Sequence, residues 1–209
     1  MFFEPRLRDK SVMRHDPFKA LIAPRPVGWV STMDREGRVN LAPYSFFNAF
    51  SSEPPIVGFC SEGAKDSLTF AREGGEFVWN MATWDLRDEM NATSAPLERG
   101  QSEFAHAGLE TAPSRLVRPP RVKASPAHLE CKVVDIFQLR DVNGEPVPRF
   151  LVMGQAIGIH IDDRFIEKGV VQITKMKPIA RCGYQDYTVL NEVFALKRPE
   201  GAGNAGAGG

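Results

Sequence analysis

A mainly β fold, an antiparallel barrel with short flanking helices, is what this sequence predicts, and three observations predict it. Short runs rich in β-branched and aromatic residues recur between turn signals, strongly helical segments are few, and strands and helices do not alternate as a parallel α/β sheet requires. The chain has 209 residues, 43% of them hydrophobic, enough for one full core and too little for two. One domain over residues 1–197 is expected, followed by a disordered Gly/Ala tail at 198–209 that has nothing to bury.

Val27 to Met33 (VGWVSTM) has strand composition and runs into Asp34-Arg35-Glu36-Gly37, a charged hairpin turn ending in glycine. The return strand begins near Arg38 and enters NLAPYSFFNAFSSEPP, where Pro43 and Pro54-Pro55 interrupt ladder hydrogen bonding and bend the chain. Such a doubly bent strand suits a barrel wall that opens toward a ligand. Ile56 to Cys60 reads as a buried strand, and Asp66 to Glu73 as a short helix with Asp66 as N-cap and Gly74-Gly75 beyond its end. Glu76 to Thr83 (EFVWNMAT) is the next strand. Asp85 to Leu97 and Gln101 to Ala107 have helical composition, and Thr111 to Pro126 is a Pro- and Arg-rich loop, so the middle third is expected to pack onto the barrel rather than form its wall. His128 to Arg140 and Phe150 to Asp162 are long β-rich runs joined through Asn143-Gly144, a dipeptide that tolerates the positive φ of tight hairpins. After Val170 to Ile173, the segment KPIARCGYQDYTVL brings Arg181, Tyr184 and Tyr187 together.

Lys plus Arg and Asp plus Glu both total 26, so formal charge is zero and no long like-charge run exists. Nucleic acids and anionic membranes, which need a concentrated basic face, are not expected partners. No apolar run is long enough to span a bilayer, and the opening MFFEPRLRDK is charged where a signal peptide needs an apolar core; a cytoplasmic location is the expectation. Cys60, Cys131 and Cys182 are far apart in apolar settings and read as core thiols, with no CxxC or HxxxH spacing to suggest a metal. The string Gly201 to Gly206 matches GxGxxG, yet no strand closely precedes it and no helix can follow, so it carries no dinucleotide signal.

The block Pro24 to Pro55, with APRPVGWVST, NLAPYSFFNAFS and the closing Pro54-Pro55, resembles the flavin reductase-like, FMN-binding split-barrel family, in its flavoredoxin and nitrilotriacetate monooxygenase component B branch. The resemblance continues through Lys65-Asp66-Ser67-Leu68, EFVWNMAT and ARCGYQDYTV, over roughly residues 12–195. It implies a six-stranded Greek-key split barrel, a homodimer with FMN held partly across the interface, and NADH or NADPH as hydride donor. Electrons would pass to free flavin, or to a monooxygenase or electron-transfer protein.

FMN makes three demands: a dianionic phosphate, a polyhydroxyl chain, and a flat ring with one apolar and one hydrogen-bonding end. For the phosphate, Lys65 offers a cation, Ser67 a hydroxyl, and the helix opening at Asp66 its free N–H groups and dipole. For the ring and ribityl chain, the resemblance implies contacts from Trp29, Val30, Ser31 and Thr32 on one strand and from Ser45, Phe46, Phe47, Asn48 and Ser51 on the bent segment. His160, with His128, is a candidate for substrate contact near the late strands, and Arg181 and Tyr187 could line the pocket from either subunit. Some family members carry Gly-Asp-His on the strand that here reads GQAIGIHID; this chain departs from them. No catalytic triad, carboxylate pair or metal set stands out, which suits chemistry carried by the flavin. Other readings are a flavoredoxin-like electron carrier, an oxidase related to the pyridoxamine-phosphate oxidases, and a non-catalytic β-barrel binding module.

Overall fold

The computed structural model describes residues 1–98, 101–197 and 199; the Gly/Ala tail and its GxGxxG string lie outside them. Its centre is an antiparallel sheet of seven strands. These are β1 (Gly28–Met33), β2 (Val39–Tyr44), β3 (Phe47–Ser52), β4 (Pro55–Glu62), β5 (Glu76–Asn80), β6 (Ala127–Arg140) and β7 (Pro146–Ile161). Their spatial order is β2-β1-β5-β6-β7-β4-β3, so the two edge strands follow one another in the chain. The bent segment expected as one return strand is therefore two: β2 pairs with β1, the chain breaks at Ser45-Phe46, and β3 pairs with β4, which raises the count from six to seven. Pro43 sits on the edge strand β2, where its missing N–H costs no ladder bond. This split antiparallel barrel with short flanking helices is the class the sequence predicted.

The β6–β7 hairpin is the longest pairing, running from Ala127↔Ile161 to Arg140↔Pro146, with Gly144 at φ 84° in its turn. It serves two walls, since Glu130 to Lys132 pair with β5 while Arg149 to Gln155 pair with β4. The register shifts between Met153 and Gly154, and a Cβ at residue 154 would lie 2.2 Å from Cε1 of Phe77. Only glycine lets the wall turn so close to that ring.

Two apolar clusters meet on opposite faces of β1. Val30 packs inside the barrel with Phe47, Phe59, Leu68, Phe77 and Val152, whereas Trp29 joins Leu41, Met90, Phe104, Val122 and Ile179 beneath the middle third. Alternate residues of a strand point to opposite faces, and here both faces are covered. Each such side chain contributes about 1.5–3 kcal/mol when fully buried. Helix α1 (Asp66–Gly74) closes one side of the barrel; its N-cap is Lys65, one residue earlier than expected, and Gly75 caps its end at φ 70° by donating to the Ala71 carbonyl. Helices α2 (Arg87–Ala92) and α3 (Glu103–His106) form the outer layer. Near the end of the chain β8 (Ile179–Arg181) pairs with β9 (Tyr187–Val189) and with Arg25-Pro26. Val170-Val171 pairs with Ile166-Glu167 as a separate small ribbon, and Ile173 already begins a helical turn. Among the described residues no helix is long and apolar enough to cross a membrane.

Candidate functional site

A chain of three connected clefts runs along the outer layer, where the end of β2, the start of α1, the turn after α2 and the β8–β9 hairpin converge. The first, of about 440 Å³, is lined by Asn40, Tyr44, Lys65, Asp66, Ser67, Ser94 and Glu103 among others. The second, of about 270 Å³, shares Pro43, Tyr44 and Ser94 with it and adds Ser45, Lys19, Arg25, Arg181, Tyr184 and Tyr187. Asn91, Arg181 and Tyr187 then continue into a third cleft.

At the first cleft Lys65 is exposed and stands at the N-terminus of α1, where the helix dipole favours an anion. Ser67 is buried and accepts from Asn40 Nδ2 at 2.7 Å, and the Tyr44 hydroxyl reaches Ser67 and Ser61. Burial pushes the Tyr44 phenol up, so it remains a neutral donor. Glu103 is buried and accepts the Leu41 N–H at 3.0 Å, and burial pushes its carboxyl up as well. The second cleft is framed by cations and rings. The Arg25 guanidinium donates to the carbonyls of Lys19, Ile22 and Cys182 and stands 5.9 Å from the Phe46 ring centroid, as does Lys19 Nζ. Arg181 lies over the Tyr187 ring at 4.5 Å and donates to the Tyr184 carbonyl.

The structure therefore brings Lys65, Asp66, Ser67, Ser45, Arg181 and Tyr187 to one continuous surface. Trp29, Val30, Ser31 and Thr32 are not part of it: all four are fully buried. Trp29 Nε1 donates to Thr93 Oγ1 at 3.0 Å, Ser31 Oγ donates to the Pro120 carbonyl at 2.5 Å, and Thr32 Oγ1 meets no partner among the described residues. They stand behind the cleft wall because β1 is covered on both faces. Phe47 is likewise in the barrel core, stacked on Trp79 at 5.9 Å, and Asn48 and Ser51 lie on β3, where Asn48 is exposed.

His160 is also elsewhere. Its Nε2 bonds the Glu130 carboxylate at 2.5 Å, and Glu130, fully buried, further accepts the backbone N–H groups of Arg115, Leu116 and Val117 at 2.8, 2.6 and 3.2 Å. Burial disfavours the charge, but the Arg115 N–H, His160 and the Leu116 N–H outweigh it and hold the Glu130 carboxyl below its usual range. His128 is buried beside it, with Nε2 on the Val122 carbonyl, and burial lowers its imidazole to about 4. A base depressed in the folded state is protonated first in the unfolded chain. Stability is therefore expected to fall as pH drops below the ordinary histidine value, by about 1.4 kcal/mol per unit until the folded value is reached. Urea unfolding at several pH values checks this; a His128→Asn variant with an undiminished acid slope would refute it.

Several cleft residues escaped the reading of the sequence: Asn40, Tyr44, Arg25, Ser94 and Glu103. Asn40 and Tyr44 lie within the NLAPYSFF block itself, a signal that was available. Ser94 and Glu103 reach the site only through tertiary packing, and nothing local marks them.

Architecture and cleft together define a split-barrel protein of the flavin reductase kind. The sequence profile described as "Flavin reductase like domain" matches residues 21–174, and the chain belongs to that family. An uncharacterized protein of Halalkalibacterium halodurans is 32% identical over 202 residues, covering 93% of this chain and 96% of that one. Among solved structures, nitrilotriacetate monooxygenase component B from Bacillus cereus superposes with a TM-score of 0.85 at 28% identity, over 94% of this chain and 98% of the other. The 2-nitrobenzoate 2-nitroreductase NbaA of Pseudomonas fluorescens superposes with a TM-score of 0.80 at 25% identity, over 99% and 100%.

Proposed function

We propose that this protein binds FMN along the first two clefts and acts as an NAD(P)H-dependent flavin reductase, as a cytoplasmic homodimer that passes electrons to free flavin or to a partner such as a monooxygenase. The observation that carries this reading is the continuity of the anion-suited end at Lys65–Ser67 with the ring-suited end at Tyr44, Ser45 and Tyr187. The donor set fits the cofactor part by part. Lys65, Ser67 and the α1 N–H groups would hold the phosphate; Asn40, Ser45 and Ser94 would bond the ribityl hydroxyls; Tyr44, Pro43 and Tyr187 would bound the ring. When bound, FMN supplies the redox chemistry, accepting hydride at N5. The protein's part is to orient the ring, exclude water on one side and leave the other open.

The homodimer has support in the edge strand β3, whose Phe50 is 54% exposed beside exposed Asn48 and Ala49, and in Phe46 just before it, 42% exposed. An apolar edge of that kind is normally covered. The test is the visible spectrum after FMN loading and gel filtration, followed by anaerobic NADH or NADPH. A yellow protein that bleaches supports a reductase. One that stays yellow overturns the nicotinamide donor in favour of a protein donor, as in a flavoredoxin-type carrier. A protein that neither retains FMN nor oxidises NADH when free FMN is present overturns the whole reading.

A further inference from the structure

The third cleft, of about 710 Å³, is lined by Trp84, Arg87, Asp88, Met90, Ile179 and Arg181 among others, and the flavin reading leaves most of it unused. Its floor is apolar, with Met90 and Ile179 buried. Its rim carries two guanidiniums, each laid over an aromatic ring: Arg87 stands 4.3 Å from the Trp84 ring centroid and Arg181 4.5 Å from that of Tyr187. A guanidinium covered by a ring on one face keeps its other face for a second flat group and its in-plane N–H edge for an anion. Part of that edge is engaged, since Arg87 donates to the Trp84 carbonyl at 2.7 Å and pairs with Asp88 at 3.2 Å, and Arg181 donates to the Tyr184 carbonyl. Each guanidinium has about five N–H donors, so both keep some to offer. Asp88 is the lone carboxylate among the lining residues, and its side chain is 81% exposed, where water screens it.

We propose that this cleft binds a flat aromatic ligand bearing an anionic group, with Trp84 and Arg87 as its recognising pair. The inference deepens the flavin reading, because a ligand there shares Asn91, Arg181 and Tyr187 with the second cleft and abuts the ring end of the trough. The same chemistry has two sources: the adenosine-phosphate end of a nicotinamide dinucleotide, and an aromatic carboxylate that would itself be the reducible substrate.

Flavin-free protein tests it. Trp84 is exposed whereas Trp29 is fully buried and Trp79 half-buried, so quenching of tryptophan fluorescence reports on this cleft. ADP and benzoate are titrated separately, with calorimetry in parallel. Saturable binding of either is expected, weakened about tenfold in Arg87→Gln for the loss of a charge-assisted contact. By calorimetry it is weakened similarly in Trp84→Leu and restored in Trp84→Phe. Binding of ADP alone assigns the dinucleotide source, and binding of benzoate alone the aromatic carboxylate. Binding of neither ligand up to millimolar concentration, or equal affinity in Arg87→Gln, overturns the proposal. No step uses flavin, so a protein that rejects FMN yet binds ADP refutes the flavin reading and leaves this one standing.

Discussion

Replacing Glu130 by alanine is expected to remove about 3 kcal/mol of folding stability, because a buried carboxylate and its partners are difficult to separate without loss. Glu130 gathers the Arg115, Leu116 and Val117 N–H groups and His160 around a site closed to solvent. Without it these donors are left with a cavity, and each unsatisfied group costs about 1–3 kcal/mol unless water enters. The next residue of that loop, Arg118, donates its N–H to Glu76 at 2.9 Å, so the segment loses most but not all of its anchoring. Urea midpoints at neutral pH measure the effect. Its pH dependence follows from the depressed carboxyl. The stability Glu130 supplies is complete above the ordinary carboxylate range and is lost as pH falls through its lowered folded value, so wild type and Glu130→Ala should converge in acid. A midpoint unchanged at neutral pH would show that the loop is held by other contacts.

Replacing Lys65 by alanine is expected to weaken FMN binding by about 10–100-fold, the worth of one charge-assisted contact to a phosphate dianion. Lys65 is exposed at the N-cap of α1 and carries no structural duty, so the unfolding midpoint should not move. Calorimetric titration with FMN gives the affinity. Riboflavin, which lacks the phosphate, supplies the control, since Lys65→Ala should leave riboflavin affinity alone. Equal losses for both flavins would place Lys65 away from the phosphate, and no loss for FMN would remove it from the site.

Most walls of the barrel could be read from residue order because their signals are local. Asn143-Gly144 sets a turn, and the paired runs on either side are long enough that no other partner competes. Gly75 ends α1 as its position suggests. What could not be read is which face of a strand meets solvent when both are apolar. Trp29 lies in a block that also resembles flavin-binding sequences, and the layer that buries it comes from Met90, Phe104 and Val122, far along the chain. The same holds for His160: its partner Glu130 sits within an apolar-looking run, and the carboxylate's acceptor role is defined only once the loop at Arg115–Val117 has folded over it. The cleft, too, is assembled from segments near residues 40–45, 65–67, 91–97 and 181–187, none of which contains it.

Arg25 ties together parts of the chain that are remote in sequence, for the same buried guanidinium holds the Lys19 and Ile22 carbonyls on one side and that of Cys182 on the other. Gly183 makes room for this, since a Cβ there would stand 2.4 Å from the Ala20 side chain. Shortening the protein from its beginning past Lys19, or from its end past Cys182, thus unfastens one and the same clasp. The second truncation should add little to the damage of the first, and a tag or fusion partner is tolerated at either terminus only while it leaves that clasp closed.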